Sequence, residues 1–365
     1  YKTLLQALAS GDSASFEKVP TVGQVKLANP QASFSFGLVG MDSHATPLAL
    51  PPAFSSAEQA ADMAELYWQS LTRDVHFSEY ESNPLILKAV DDLNRFSDCR
   101  VPKEKGKITP RTIFRGHTAG DAQGPYISQY LLASIPFGSS LVRQQYRTVH
   151  PGDDFLASYE DWLATQRGID RAYWRPTATA AKWTMRTRNN LDFTYRYIRN
   201  SRDLTVYVHH DFPYMPYLNA GLMLLAQPGS LSSHNPYSWS RVQDGFSTFG
   251  SAAVLDLLGV VTDAGLRASW YHKWLVHRRL RPEAFGGRIH NHESGKARYP
   301  IHADMLNSAV LKENYDRFSS YLLTSAYPEG SPVHPSYPAG HAVIAGACVT
   351  VLKAFFAESR TIQNP

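Results

Sequence analysis

His334-Pro335-Ser336-Tyr337-Pro338-Ala339-Gly340-His341 runs straight into Ala342–Phe356, AVIAGACVTVLKAFF, an apolar stretch of helical length. A Pro/Gly turn feeding such a stretch predicts a helix that opens at about Gly340 with its first backbone N–H groups unpartnered. Those groups and the positive end of the helix dipole favour an anion. A histidine beside them can move protons near neutral pH. The same residues also read as a loop that does no more than start a buried helix. Lys353 interrupts the stretch, which is too short to span a bilayer.

Outward from there, helical periodicity dominates. Ser56-Ala57-Glu58-Gln59 has the form of a capping box, and Met63, Ala64, Tyr67 and Leu71 follow at helical spacing, predicting a helix to about Arg73. Further helices are predicted near 84–96, 126–135, 154–166, 203–225, 250–258, 264–281, 302–324 and 340–356. Alternating β-branched runs are scarce, residues 204–209 being the nearest to one. The fold class is therefore all-α, a single domain over residues 1–365, with long Pro/Gly-rich loops at 29–53 and 285–300.

A second stretch, Trp270 to Gly287, reads WYHKWLVHRRLRPEAFGG. Lys273 and Arg281 lie eight positions apart, and Pro282 predicts that their helix ends at about Arg281. Both side chains could then reach one anion. Arg278, Arg279 and Arg281 could equally form a solvated basic face. Against that, Trp270, Trp274, Leu275 and Val276 are interleaved and predict burial, and a buried cation needs an anion beside it.

At 43% hydrophobic and 12% aromatic, the chain can bury a substantial core. Its 36 basic residues against 32 acidic ones give a net charge of +4, which offers no footprint for nucleic acid. Cys99 and Cys348 cannot make a disulfide framework, and Cys348 reads as a small apolar helix residue. No signal peptide or membrane span is visible.

Lys273-x7-Arg281-Pro282 together with Pro338-Ala339-Gly340-His341 resembles the vanadium-dependent haloperoxidases, which share their site with the type 2 phosphatidic acid phosphatases. The likeness is nearest to the bromoperoxidases of algae and cyanobacteria. It extends to Gly124-Pro-Tyr-Ile-Ser-Gln, Arg196 to Leu204, Tyr207 to Leu225 and Arg281 to Gly287, and covers most of the chain.

The resemblance implies two packed four-helix bundles with the site in the second. It implies vanadate held by Lys273, Arg281, Ala339, Gly340 and His341, with Lys273 and His341 catalytic and Trp270 and His334 lining a halide pocket. The implied activity is oxidation of bromide, and also iodide, by hydrogen peroxide to hypohalous acid, which halogenates small organic substrates. A homo-oligomer, dimer or larger, goes with it. Structural calcium or magnesium finds no support in the residues. The family's third motif, whose histidine is the one protein ligand of vanadium, is expected beyond Pro365, in a longer polypeptide. The family usually has serine where Ala339 stands. Its loss removes a bond to a charged acceptor worth roughly 1–3 kcal/mol, predicting weaker vanadate binding.

Two rival functions remain. Phosphate has the charge and shape of vanadate, so an acid phosphatase could use the same pocket. A non-catalytic oligomeric shell protein is the other, although Lys273, Arg281 and His341 would then be retained without use. Zinc at His209-His210-Asp211 or His290-x-His292 lacks a completing ligand set, and Gly286-Gly287 and Gly295-Lys296 do not make a P-loop. Asp153-Asp154 reads as a helix start.

Overall fold

In the computed structural model, helices begin where short polar side chains can cap them and end where the apolar period breaks. It describes the whole chain except residues 24, 36, 38–39, 170–173, 178–179, 186–190, 228, 239, 241–243 and 360–365; for 174–177 and 180–185 it describes the backbone alone. The helices are α1 Lys2–Ser10, α2 Ser13–Phe16, α3 Ala57–Thr72, α4 Pro84–Leu93, α5 Ala119–Ala122, α6 Tyr159–Gln166, α7 Ser201–His210, α8 Met215–Leu225, α9 Ser251–Tyr271, α10 Pro282–Glu293, α11 Ala303–Leu306, α12 Ala309–Phe318 and α13 Gly340–Phe355. Six short strands pair antiparallel as three ribbons: β1 Ile135–Phe137 with β2 Ser140–Val142, β3 Tyr146–Val149 with β6 Leu191–Arg196, and β4 Trp174–Thr177 with β5 Ala180–Met185. The fold is mostly helical, as expected, with these ribbons as the addition.

Several boundaries differ from expectation, each for a physical reason. Residues 250–258 and 264–281 do not form two helices. The buried face Val254, Leu258, Thr262, Gly265, Ser269 continues at helical spacing across the intended gap, so α9 is unbroken. The stretch 203–225 divides instead, because Pro213 and Pro216 start α8 afresh. Residues 126–135 hold only a short 3-10 turn before β1, and α6 waits for the Ser158 cap rather than starting at Asp154. The supposed loop 285–300 is α10 as far as Glu293. Pro282 sits at its first position, where a missing N–H costs nothing, so it opens a helix rather than closing one. At α3, Ser56 Oγ accepts from the Gln59 N–H at 3.1 Å as a cap should, but the Gln59 side chain turns to Arg279 instead of back to Ser56.

Two apolar clusters organise the helices. The larger gathers Met63, Tyr67 and Trp68 of α3, Ile86 and Leu93 of α4, and Phe285 and Ile289 of α10 with Met305 and Leu311. Trp68 donates its indole N–H to buried Asp92 at 2.8 Å, and Asp92 also accepts from the Ala309 N–H, fixing α12 against α4. The smaller joins α8, α9 and α13 through Val254, Leu258, Ile344, Cys348 and Phe355. Both cysteines are free and buried, Cys348 within this cluster. The chain crosses from the smaller cluster to the larger at residues 272–281. Against that crossing lie Ala28 and Ala49, whose carbonyls accept from Trp270 and Tyr337. Among the described residues no helix is long and apolar enough to cross a membrane.

Candidate oxyanion site

The crossing is a break in geometry. α9 tightens no further but widens into a π-helical turn, His272–His277, and Arg278 then adopts a left-handed φ of 46°. Single π-turns recur where a functional side chain must be re-aimed. Lys273 and Arg281 are therefore not on one helix. Lys273 sits in the π-turn, while Arg281 is the N-cap of α10.

The turn carries Lys273 inward. It is 1% exposed, and its ammonium donates to the carbonyls of Pro335 at 3.0 Å and Ser336 at 3.4 Å. Among the described residues no carboxylate pairs with it. Burial, reinforced by the Arg281 charge, lowers its pKa to about 8. Arg281 donates from Nη1 to the His334 carbonyl at 3.2 Å and from Nε to Glu283 at 2.9 Å. The other two arginines go elsewhere: Arg279 pairs with Asp62 and Gln59 of α3, and Arg278 returns to the Trp274 and Leu275 carbonyls. The solvated basic face is thus dispersed.

His334 packs on Trp270 with ring centroids 5.4 Å apart, and its Nδ1 lies 2.8 Å from the Pro335 carbonyl, which makes Nδ1 the donor. Burial pulls its pKa down to about 4, so the ring is neutral at pH 7. Trp270 also faces the start of α13: a Cβ on Gly340 would lie 3.6 Å from its Cζ3. Lys273 Nζ stands 5.9 Å from the same ring. Lys273, Arg281, His334, Trp270 and Gly340 are thereby linked by contact. Ala339 is the N-cap of α13 and supplies no side-chain cap, so among the described residues no side chain caps the first N–H groups of the helix.

His341, the second residue of α13, is exposed over 59% of its side chain and pairs through Nε2 with Asp211 Oδ1 at 3.4 Å. Asp211 is buried at 3%, and burial raises its pKa against the pull of His341. In the sequence Asp211 stands out only within the His209-His210-Asp211 set rejected for zinc; its pairing with His341, 130 positions away, has no local signal. The neighbouring His209 stacks on Tyr327 and pairs with Glu329, and His290 and His292 accept from the Tyr321 and Tyr299 N–H groups. Those histidines have structural work.

A buried, acid-free lysine beside an arginine and an uncapped helix start is a donor set for a tetrahedral oxyanion. No family profile matches the chain. The vanadium-dependent bromoperoxidase of Corallina pilulifera is 34% identical across 90% of this chain and 63% of its own length, and that of Ascophyllum nodosum 32% across 99% and 66%. The homohexameric structure of the second vanadate-dependent bromoperoxidase of Ascophyllum nodosum superposes with a TM-score of 0.86 at 30% identity, covering 97% of this chain and 60% of that one. This chain is a homologue of the vanadium-dependent bromoperoxidases. The chain spans a little under two thirds of the length of these relatives.

Proposed function

We propose that the full protein oxidises bromide, and iodide more readily, with hydrogen peroxide, using vanadate, and assembles as a homo-oligomer. The observation that carries this reading is Lys273, buried beside Arg281 with carbonyls but no carboxylate against it. Such a cation is destabilising until an anion arrives. The residues present fit the oxygens of vanadate. When bound, vanadate supplies a Lewis acid that activates peroxide towards halide without changing oxidation state.

The chain's own groups then have distinct tasks. Lys273 and Arg281 neutralise the oxyanion, and the Gly340 N–H at the helix start orients it. Because Asp211 takes the His341 Nε2 proton as acceptor, Nδ1 is the ring atom that takes and returns a proton, a role worth roughly 10²–10⁴-fold. Trp270 and neutral His334 form an aromatic wall suited to a polarisable halide.

The test is bromination of a reporter dye with bromide and peroxide, before and after orthovanadate in phosphate-free buffer. Vanadate-dependent turnover, suppressed by phosphate and lost in His341→Ala, is expected. Hydrolysis of phosphate monoesters with no vanadate-dependent bromination would overturn it in favour of a phosphatase.

A further inference from the structure

We propose that Glu283 is the positioning residue for Arg281, holding the guanidinium at Nε so that Nη2 is left for the oxyanion; this rests on the reading of the site given above. Arg281 Nε donates to Glu283 Oε1 at 2.9 Å and Nη1 to the His334 carbonyl at 3.2 Å, while Nη2 has no acceptor among the described residues. An unclamped arginine would spread over many rotamers and lose that direction.

Glu283 can act as a clamp because it is itself rooted. It is the second residue of α10, where the helix dipole favours a carboxylate, and its side chain is 13% exposed. Its backbone carbonyl accepts the Trp162 indole N–H at 2.8 Å. Trp162 in turn lies flat on α10 at Gly287, where a Cβ would come within 1.9 Å of the ring. Any side chain at 287 would push the indole, and with it the start of α10, out of place. Glu283 also offsets the Arg281 charge, so Lys273 remains the buried cation without a counter-charge, and Arg281 contributes direction more than net charge.

The test is calorimetric titration of the full-length protein with orthovanadate and with molybdate, comparing wild type with Glu283→Ala, Glu283→Asp and Glu283→Gln, and with thermal midpoints measured alongside. Alanine, and aspartate which is too short to reach Nε, should each weaken both anions on the order of tenfold. Glutamine, whose amide oxygen still accepts from Nε, should stay within about threefold of wild type. Wild-type affinity in Glu283→Ala, or a glutamine variant as weak as alanine at equal melting temperature, overturns the proposal. A wild-type protein that binds neither anion overturns the oxyanion reading itself, and this inference with it.

Discussion

Two places in this molecule gather cations around a buried one, and they differ in what answers the charge. In the first, Arg73, Arg202 and Arg317 converge on Asp154, each at 3.0 Å, and Asp74 takes a further bond from Arg202. Asp154 and Arg202 are each 1% exposed. This cluster ties α3, α7, α12 and the loop before α6 together. In the second, Arg281 has Glu283, but among the described residues Lys273 meets carbonyl oxygens and no carboxylate. The residue types are alike, and each place holds a cation only 1% exposed, Arg202 in the first and Lys273 in the second. A buried charge matched from within the chain holds architecture; one left unmatched is waiting for something from outside. The Asp153-Asp154 pair, expected to start a helix, belongs to the first kind.

Asp154→Ala should break the comparison most severely. It removes the acceptor shared by three guanidinium groups, leaving buried Arg73 without a carboxylate while Arg202 keeps Asp74, and should cost about 3–5 kcal/mol in urea unfolding, with no recovery on adding molybdate. A loss under about 1 kcal/mol would mean the arginines have other partners.

Lys273→Met should behave in the opposite way. Without an anion the protein should be no less stable, since a buried unpaired charge is gone, while molybdate affinity should fall on the order of a hundredfold. The pH dependence follows from the lowered pKa. A lysine at about 8 when folded and 10.5 when unfolded binds fewer protons in the folded state, so its contribution to stability rises with pH across that window. Anion binding needs the charged form, so molybdate, which does not titrate near pH 8, should bind more weakly as pH climbs through 8 and should draw in protons. Calorimetry in buffers of different ionisation enthalpy measures that uptake. No buffer dependence would place the charge elsewhere.

Ala339→Ser should give the smallest change, restoring a hydroxyl at the uncapped start of α13 and tightening vanadate by up to about tenfold. Unchanged or weaker binding would show that the hydroxyl turns back to cap the helix instead.

Much of this was legible in local sequence. The α13 start was, because a Pro/Gly turn before an apolar run has one economical conformation. Lys273 and Arg281 were named on spacing, although the spacing argument assumed one helix and the chain uses a π-turn and a second helix. Pro282 admits either a helix end or a helix start, and which one holds depends on Trp162 and the larger apolar cluster packing against α10. Glu283 carried a usable signal, a carboxylate two residues after an arginine at a helix start. Asp211 stood out only in a rejected zinc set, with nothing to link it to His341.

Helix content and the apolar faces were thus determined by sequence alone, because propensity, capping and period act over a few residues. Which cations are matched and which are not was decided only by tertiary structure. A charge's partner can lie anywhere along the chain: Asp154 is 81 positions from Arg73 and Asp211 is 130 from His341. Folding alone determines whether water, a carboxylate or an empty space stands beside it.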